Sequence, residues 1–225
     1  MTQTPPAEKK MPLSCDRVWD FLRVEMGFVK EFACSPFHVG SICPSSRVLA
    51  GQLVDMAREA AGNARHAPDT GLIIDLGAGP GPVTGELLRA GIAPERIVAV
   101  ERSSAFAKTF QKRYNTVPIL TGDAANLRQI LAAAYPDSPI TAVISSLPFR
   151  AIPQKTTTRI LRELHETLIE RGGVLVQYSY VWWMKHTLEN DGFTPKLSRL
   201  VLQNVPPARV ESYVVEPESP PEPML

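Results

Sequence analysis

The chain has 225 residues, 44% of them hydrophobic and 21% charged, with a formal net charge of +1. That length supports one well-buried domain and is too short for two of ordinary size. Basic residues spread along a nearly neutral chain give no reason to expect a nucleic-acid partner held by bulk electrostatics. Cys15, Cys34 and Cys43 form no CxxC pair and predict a reduced, cytoplasmic setting. No apolar run approaches the ~20 residues that span a bilayer.

Residues 1–12, rich in Pro, Thr and Lys, predict a flexible tail, as do 216–225, EPESPPEPML, so the domain is expected over 13–215. Within it, 16–32 reads as an amphipathic helix. At about 100° per residue, Val18, Trp19, Phe21, Leu22, Val24, Met26, Phe28, Val29 and Phe32 share one broad face, and Arg23 and Lys30 fall beside its Trp19 and Met26 edge. Such a helix can lie on an anionic membrane surface, with Trp19 at the headgroup boundary and Arg23 and Lys30 at lipid phosphates. A helix packed on the domain fits as well, because Glu25 interrupts the face.

Strand-like runs follow at 72–76, 96–101, 117–121, 140–145 and 173–180, separated by helical patterns. This alternation predicts a parallel sheet with helices on both faces, a doubly wound α/β domain. Two further runs, 197–204 and 209–215, are joined by a link too short for a parallel crossover, so they should pair antiparallel.

The strand ends carry the candidate chemistry. After the first, Gly77, Gly79 and Gly81 alternate with Ala78 and Pro80 before a helix from about Val83 to Arg89, as a ligand lying against backbone requires. A dinucleotide fingerprint would need glycine where Pro82 stands, and a phosphate loop would need a GK[ST] ending. The second strand ends at Glu101, about 20 residues beyond the glycines, where an acid can accept both hydroxyls of a ribose, and Arg102 adjoins it. The third ends in Gly122, Asp123 and Ala124, where Asp123 also reads as a helix N-cap. The fourth leads into Ser145, Ser146, Leu147, Pro148 and Phe149, and the fifth ends in Tyr178, Ser179 and Tyr180, at the carboxyl edge where open α/β sheets bind ligands. His38, His66, His165 and His186 have no metal-ligand spacing, so no metal is expected.

The string LIIDLGAGPG resembles the glycine loop of class I S-adenosylmethionine-dependent methyltransferases, whose fold has five parallel strands and a terminal antiparallel hairpin. The resemblance implies a seven-stranded, Rossmann-like sheet and S-adenosylmethionine as cofactor, with S-adenosylhomocysteine as product. Asp75 would then hold the methionine end, and Asp123 with the Ala124 amide would read the adenine edge. Ala78, Arg102 and Ser145 are further cofactor contacts on this reading. SSLPF stands where amino-methylating members carry [NDS]PP[YF]-like loops that hold the target amine, with Ser145 in place of the common Asn.

VGSICPSS, within 35–49, and NVPPARV at 204–210 resemble the bacterial phospholipid N-methyltransferases, which convert phosphatidylethanolamine to phosphatidylcholine. That resemblance implies a peripheral enzyme at the inner face of the cytoplasmic membrane. Tyr180 and Ser145 are then the catalytic candidates, Tyr180 orienting the amine. Ser41, Phe149, Arg150, Tyr178 and Arg209 are candidates for the lipid, the arginines for its phosphate. Ribosomal RNA adenine dimethylases share the glycine loop, but they end in a basic helical domain where this chain has an acidic, Pro-rich tail. A domain that binds cofactor or membrane and catalyses nothing is the second alternative.

Overall fold

The computed structural model describes residues 44–63, 70–149, 152–180, 188–204 and 207–216. The expected tails apart from Glu216, the helix at 16–32 and most of the 35–49 motif lie outside them. The described elements, in order, are α1 (Pro44–Asn63), β1 (Leu72–Leu76), α2 (Pro82–Arg89), β2 (Ile97–Glu101), α3 (Ser104–Arg113), β3 (Ile119–Thr121), α4 (Leu127–Ala134), β4 (Ile140–Ser145), α5 (Gln154–Arg171), β5 (Val174–Tyr180), β6 (Thr194–Val201) and β7 (Ala208–Val214).

The strands form one seven-stranded sheet in the order β3-β2-β1-β4-β5-β7-β6. The first five are parallel, and β7 runs antiparallel to both β5 and β6, so β6 points the same way as β5. The antiparallel hairpin forms as expected, but its second strand lies inside it, against β5, and β6 takes the edge. β6 also starts and ends three residues earlier than the sequence pattern predicts. The pattern placed its start after Pro195, yet Pro195 sits within the strand beside a register shift, where an edge position tolerates a residue without an N–H. The third strand is shorter than expected, beginning at Ile119.

β1 is buried throughout because it has layers on both faces. Ile73, Ala99, Ile144 and Val176 pack with α1, α2 and Phe110 of α3 on one side. Ile74, Leu76, Val98, Val143 and Leu175 pack with Leu127 and Leu131 of α4 and Ile160, Leu161, Leu164 and Leu168 of α5 on the other. Each of these Val, Leu, Ile and Phe side chains contributes about 1.5–3 kcal/mol when fully buried. Side-chain bonds tie the helices to this frame. Arg128 of α4 bridges Glu166 and Glu170 of α5, and Arg199 of β6 reaches Glu59 and Gln52 of α1 at 2.7 and 3.3 Å. No described helix is long and apolar enough to cross a membrane.

Candidate functional site

Parallel pairing brings the carboxyl ends of β1 to β5 to one edge of the sheet. Leu76 of β1 is in register with Ser145 of β4, which is in register with Gln177 of β5, and Gln177 pairs with Glu211 of β7. On the other side of β1, β2 and β3 end at Glu101 and Thr121. The edge therefore gathers the glycine loop, Glu101, Asp123, Ser145, Tyr178 and the backbone of Tyr180, and the start of β7 adds Arg209 opposite Ser179. Ser41, Arg150, Trp19, Arg23 and Lys30 lie outside the described residues.

All three loop glycines have positive φ, 75° at Gly77, 53° at Gly79 and 85° at Gly81, but for different reasons. A Cβ on Gly77 would stand 2.7 Å from the Leu147 side chain, and one on Gly81 would run into the Tyr114 ring. Those two are required by packing. A Cβ on Gly79 would meet nothing within 4 Å, so its bare backbone faces open space and leaves a cradle for a ligand. The Gly79 amide itself donates to Glu101 Oε2 at 2.9 Å, and Glu101 Oε1 accepts from the Ser103 amide at 2.7 Å. Each carboxylate oxygen retains a lone pair for a further donor.

The start of α2 shows what the cradle does not hold. A pyrophosphate needs free N–H groups at a helix N-terminus. Pro82 has none, the Thr84 amide donates to Asp75 Oδ2 at 3.0 Å, and the Gly85 amide bonds to the Gly81 carbonyl. The Thr84 and Gly85 donors are spent internally and Pro82 offers none, in keeping with the failed dinucleotide and phosphate-loop patterns.

Asp75 is fully buried. Its Oδ2 also accepts from Thr84 Oγ1 at 2.6 Å, while its Oδ1 has no partner among the described residues. Burial, opposed by the two Thr84 bonds, pushes its carboxyl up to about 6. A buried carboxylate oxygen without a donor suits a cationic ligand group.

Asp123 Oδ1 accepts from the Ala125 amide at 2.9 Å, capping the turn Ala124–Asn126, and its Oδ2 lies 4.0 Å from Arg102 Nη1. Its two oxygens thus divide between the cap and the Arg102 guanidinium. Ser145 is buried and its Oγ accepts from the Leu147 amide at 3.3 Å. Phe149 packs with the α5-side core, and its carbonyl accepts from Thr157 Oγ1 at 3.1 Å. Arg209 Nη1 donates to Ser198 Oγ at 3.1 Å.

Three residues of the site escaped the sequence reading. Thr84 anchors Asp75, Tyr114 backs the glycine loop by filling the space over Gly81 and Gly85, and Gln177 lies beside Ser145. Gly85 inside α2 was a signal for Tyr114, because an interior helical glycine costs about 1 kcal/mol and implies a close neighbour. A lone amide inside the apolar run VLVQYSY was the signal for Gln177.

Residues 73–172 match the family model described as a methyltransferase domain. Ornithine lipid N-methyltransferase of Singulisphaera acidiphila is 24% identical over 187 residues, covering 80% of this chain and 91% of that protein. Among solved structures, magnesium protoporphyrin IX methyltransferase of Synechocystis with bound S-adenosylmethionine is similar, with a TM-score of 0.57, 14% identity and coverage of 92% of this chain and 100% of that one. A TehB-like methyltransferase of Corynebacterium glutamicum gives a TM-score of 0.53 at 12% identity, covering 89% and 96%. The fold is that of the class I S-adenosylmethionine-dependent methyltransferases.

Proposed function

We propose that the chain is an S-adenosylmethionine-dependent N-methyltransferase acting on the amine of a lipid headgroup. On this reading it methylates phosphatidylethanolamine and its methylated intermediates toward phosphatidylcholine, at the cytoplasmic face of the membrane. The observation that carries the cofactor is the open cradle at Gly79, bordered by Glu101 and by an α2 terminus that starts with Pro82 and turns its Thr84 amide onto Asp75. The lipid acceptor is supported by the similarity to a lipid N-methyltransferase. That relative's own substrate makes the amine of an ornithine lipid the second acceptor to test.

When bound, the cofactor supplies an electrophilic methyl carbon on a sulfonium. The unpartnered Asp75 Oδ1 would take its ammonium, the remaining lone pairs of Glu101 would accept ribose hydroxyls, and Asp123 with the Ala124 amide would meet the adenine. Methyl transfer is an in-line displacement, so the protein's part is alignment and exclusion of water. The amine must be neutral to attack, and Ser145 and Tyr180, from the ends of β4 and β5, would orient it. Phe149 and Tyr180 would offer aromatic surface to the methylated, cationic product. Arg150 and Arg209 would hold the lipid phosphate.

The test is transfer of labelled methyl groups to vesicles containing phosphatidylethanolamine or ornithine lipid. Transfer to phosphatidylethanolamine with formation of phosphatidylcholine is expected; transfer to neither lipid, with cofactor binding intact, would overturn the reading. Deleting residues 1–32 should abolish binding to anionic vesicles and spare cofactor binding. A salt-sensitive RNA complex tighter than the vesicle complex would favour an RNA substrate instead.

A further inference from the structure

Gln177 is the polar residue of an otherwise apolar stretch of β5 and is 8% exposed. Its Nε2 donates to the Leu147 carbonyl at 3.0 Å and to the Tyr178 carbonyl at 2.9 Å. Two carbonyl acceptors on one side fix which way the amide points, since only its nitrogen can donate to them. Its Oε1 has no partner among the described residues. An unmade buried acceptor costs more than an ordinary hydrogen bond contributes, so the oxygen calls for a donor.

Its place says which donor. Gln177 is in register with Ser145 on the neighbouring strand, and the two converge on Leu147, whose amide donates to Ser145 Oγ while its carbonyl accepts from Gln177. Leu147 also packs against the backbone of Gly77. The side-chain carbonyl that serine at position 145 cannot offer is therefore present one strand away, at the same level of the carboxyl edge. A neutral primary amine presents two N–H groups and one lone pair. Carbonyl and hydroxyl oxygens that take the N–H groups leave the lone pair free.

We infer that Gln177 binds the acceptor amine, its Oε1 receiving an N–H in the first and second methyl transfers and having no bond to make in the third. This rests on the aminolipid reading above. In each transfer the nitrogen lone pair forms the N–C bond as the methyl C–S bond breaks, and the resulting ammonium gives its proton to water before it can react again. The neutral acceptor thus carries two N–H groups, then one, then none. The dimethylated amine offers Gln177 nothing to accept.

The experiment compares kcat/KM for unmethylated, monomethylated and dimethylated aminolipid in vesicles. Gln177→Met should lower the first two roughly tenfold or more and the third by less than about threefold. Binding of S-adenosylhomocysteine, measured by calorimetry, should be unchanged. Gln177→Glu can give an O–H to the Leu147 carbonyl and still accept the amine N–H only while its carboxyl is neutral, since the ionised form has no donor for that carbonyl, so its first-step rate relative to wild type should recover toward acid pH. An equal loss for all three acceptors would mean that Gln177 only braces the Leu147 loop, and no loss at all would mean that Oε1 does not touch the amine; either overturns the inference while the aminolipid reading stands. A wild-type protein that methylates no aminolipid overturns both.

Discussion

The two glycines at the ends of the loop segment Gly79–Gly81 should respond in opposite ways to the same added methyl group. Both have positive φ, which costs an L-residue about 1–2 kcal/mol. At Gly79 that is the whole cost, because the new Cβ meets nothing within 4 Å. Gly79→Ala should therefore fold, with a melting temperature lowered by roughly 2–4 °C per kcal/mol lost. At Gly81 the Cβ would stand 2.8 Å from Tyr114 Cδ2, closer still to its Cε2, and 3.0 Å from Phe110 Cδ2. Overpacking adds about 1–3 kcal/mol to the backbone strain, so Gly81→Ala should lose stability severely. Cofactor binding reverses the order of interest, since the Gly79 methyl would project into the space proposed for the ligand. Calorimetric titration with S-adenosylhomocysteine should show at least a ~10-fold weaker Kd for folded Gly79→Ala, equivalent to about 1.4 kcal/mol. A folded Gly79→Ala protein with wild-type affinity would refute the assignment of the cradle.

Glu101→Ala, read by the same titration, is expected to weaken cofactor binding about 10- to 100-fold while the protein still folds, since the two amides it frees, on Gly79 and Ser103, lie at the rim of the site; unchanged affinity would remove the ribose role. Asp75 predicts a pH dependence of definite sign. Its folded-state value of about 6 stands above the ordinary 3.8, so the stability it contributes is present below about pH 4 and lost as pH rises through about 6. The difference in unfolding free energy between wild type and Asp75→Asn should fall by on the order of 3 kcal/mol over that window in urea titrations, and a flat difference would refute it. Cofactor binding should run the other way, weakening as pH drops through about 6, because a ligand ammonium favours the ionised carboxyl.

Most of the scaffold was legible in the chain because local patterns coincide with tertiary roles. β1, β2 and β4 are buried on both faces, so their apolar runs stand out without alternation. Gly77, Glu101, Asp123 and Ser145 were legible because each stands at or within two residues of a strand's end. β6 starts ahead of the apolar run at 197–204 because an edge position next to a bulge accepts Pro195, a residue that local strand patterns disfavour. The packing glycines and the cradle glycine could not be told apart, since only the arrival of Tyr114 and Leu147 from elsewhere in the chain distinguishes them. Gln177 was missed for a related reason: its significance is a cross-strand register with Ser145, a relation between positions 32 residues apart that local periodicity does not encode.

Placing β7 between β5 and β6 also decides how the sheet meets other molecules. One margin is β3, only three residues long; the other is β6, interrupted at Pro195 and carrying Lys196, whose ammonium is bonded to Glu216 at 3.3 Å. A short strand at one end and a proline with a charge at the other give an incoming strand little to zip onto. The ladder is closed to growth at both ends, so this domain should resist strand-swapped dimers and fibrillar stacking when concentrated, and any self-association should go through helices or loops.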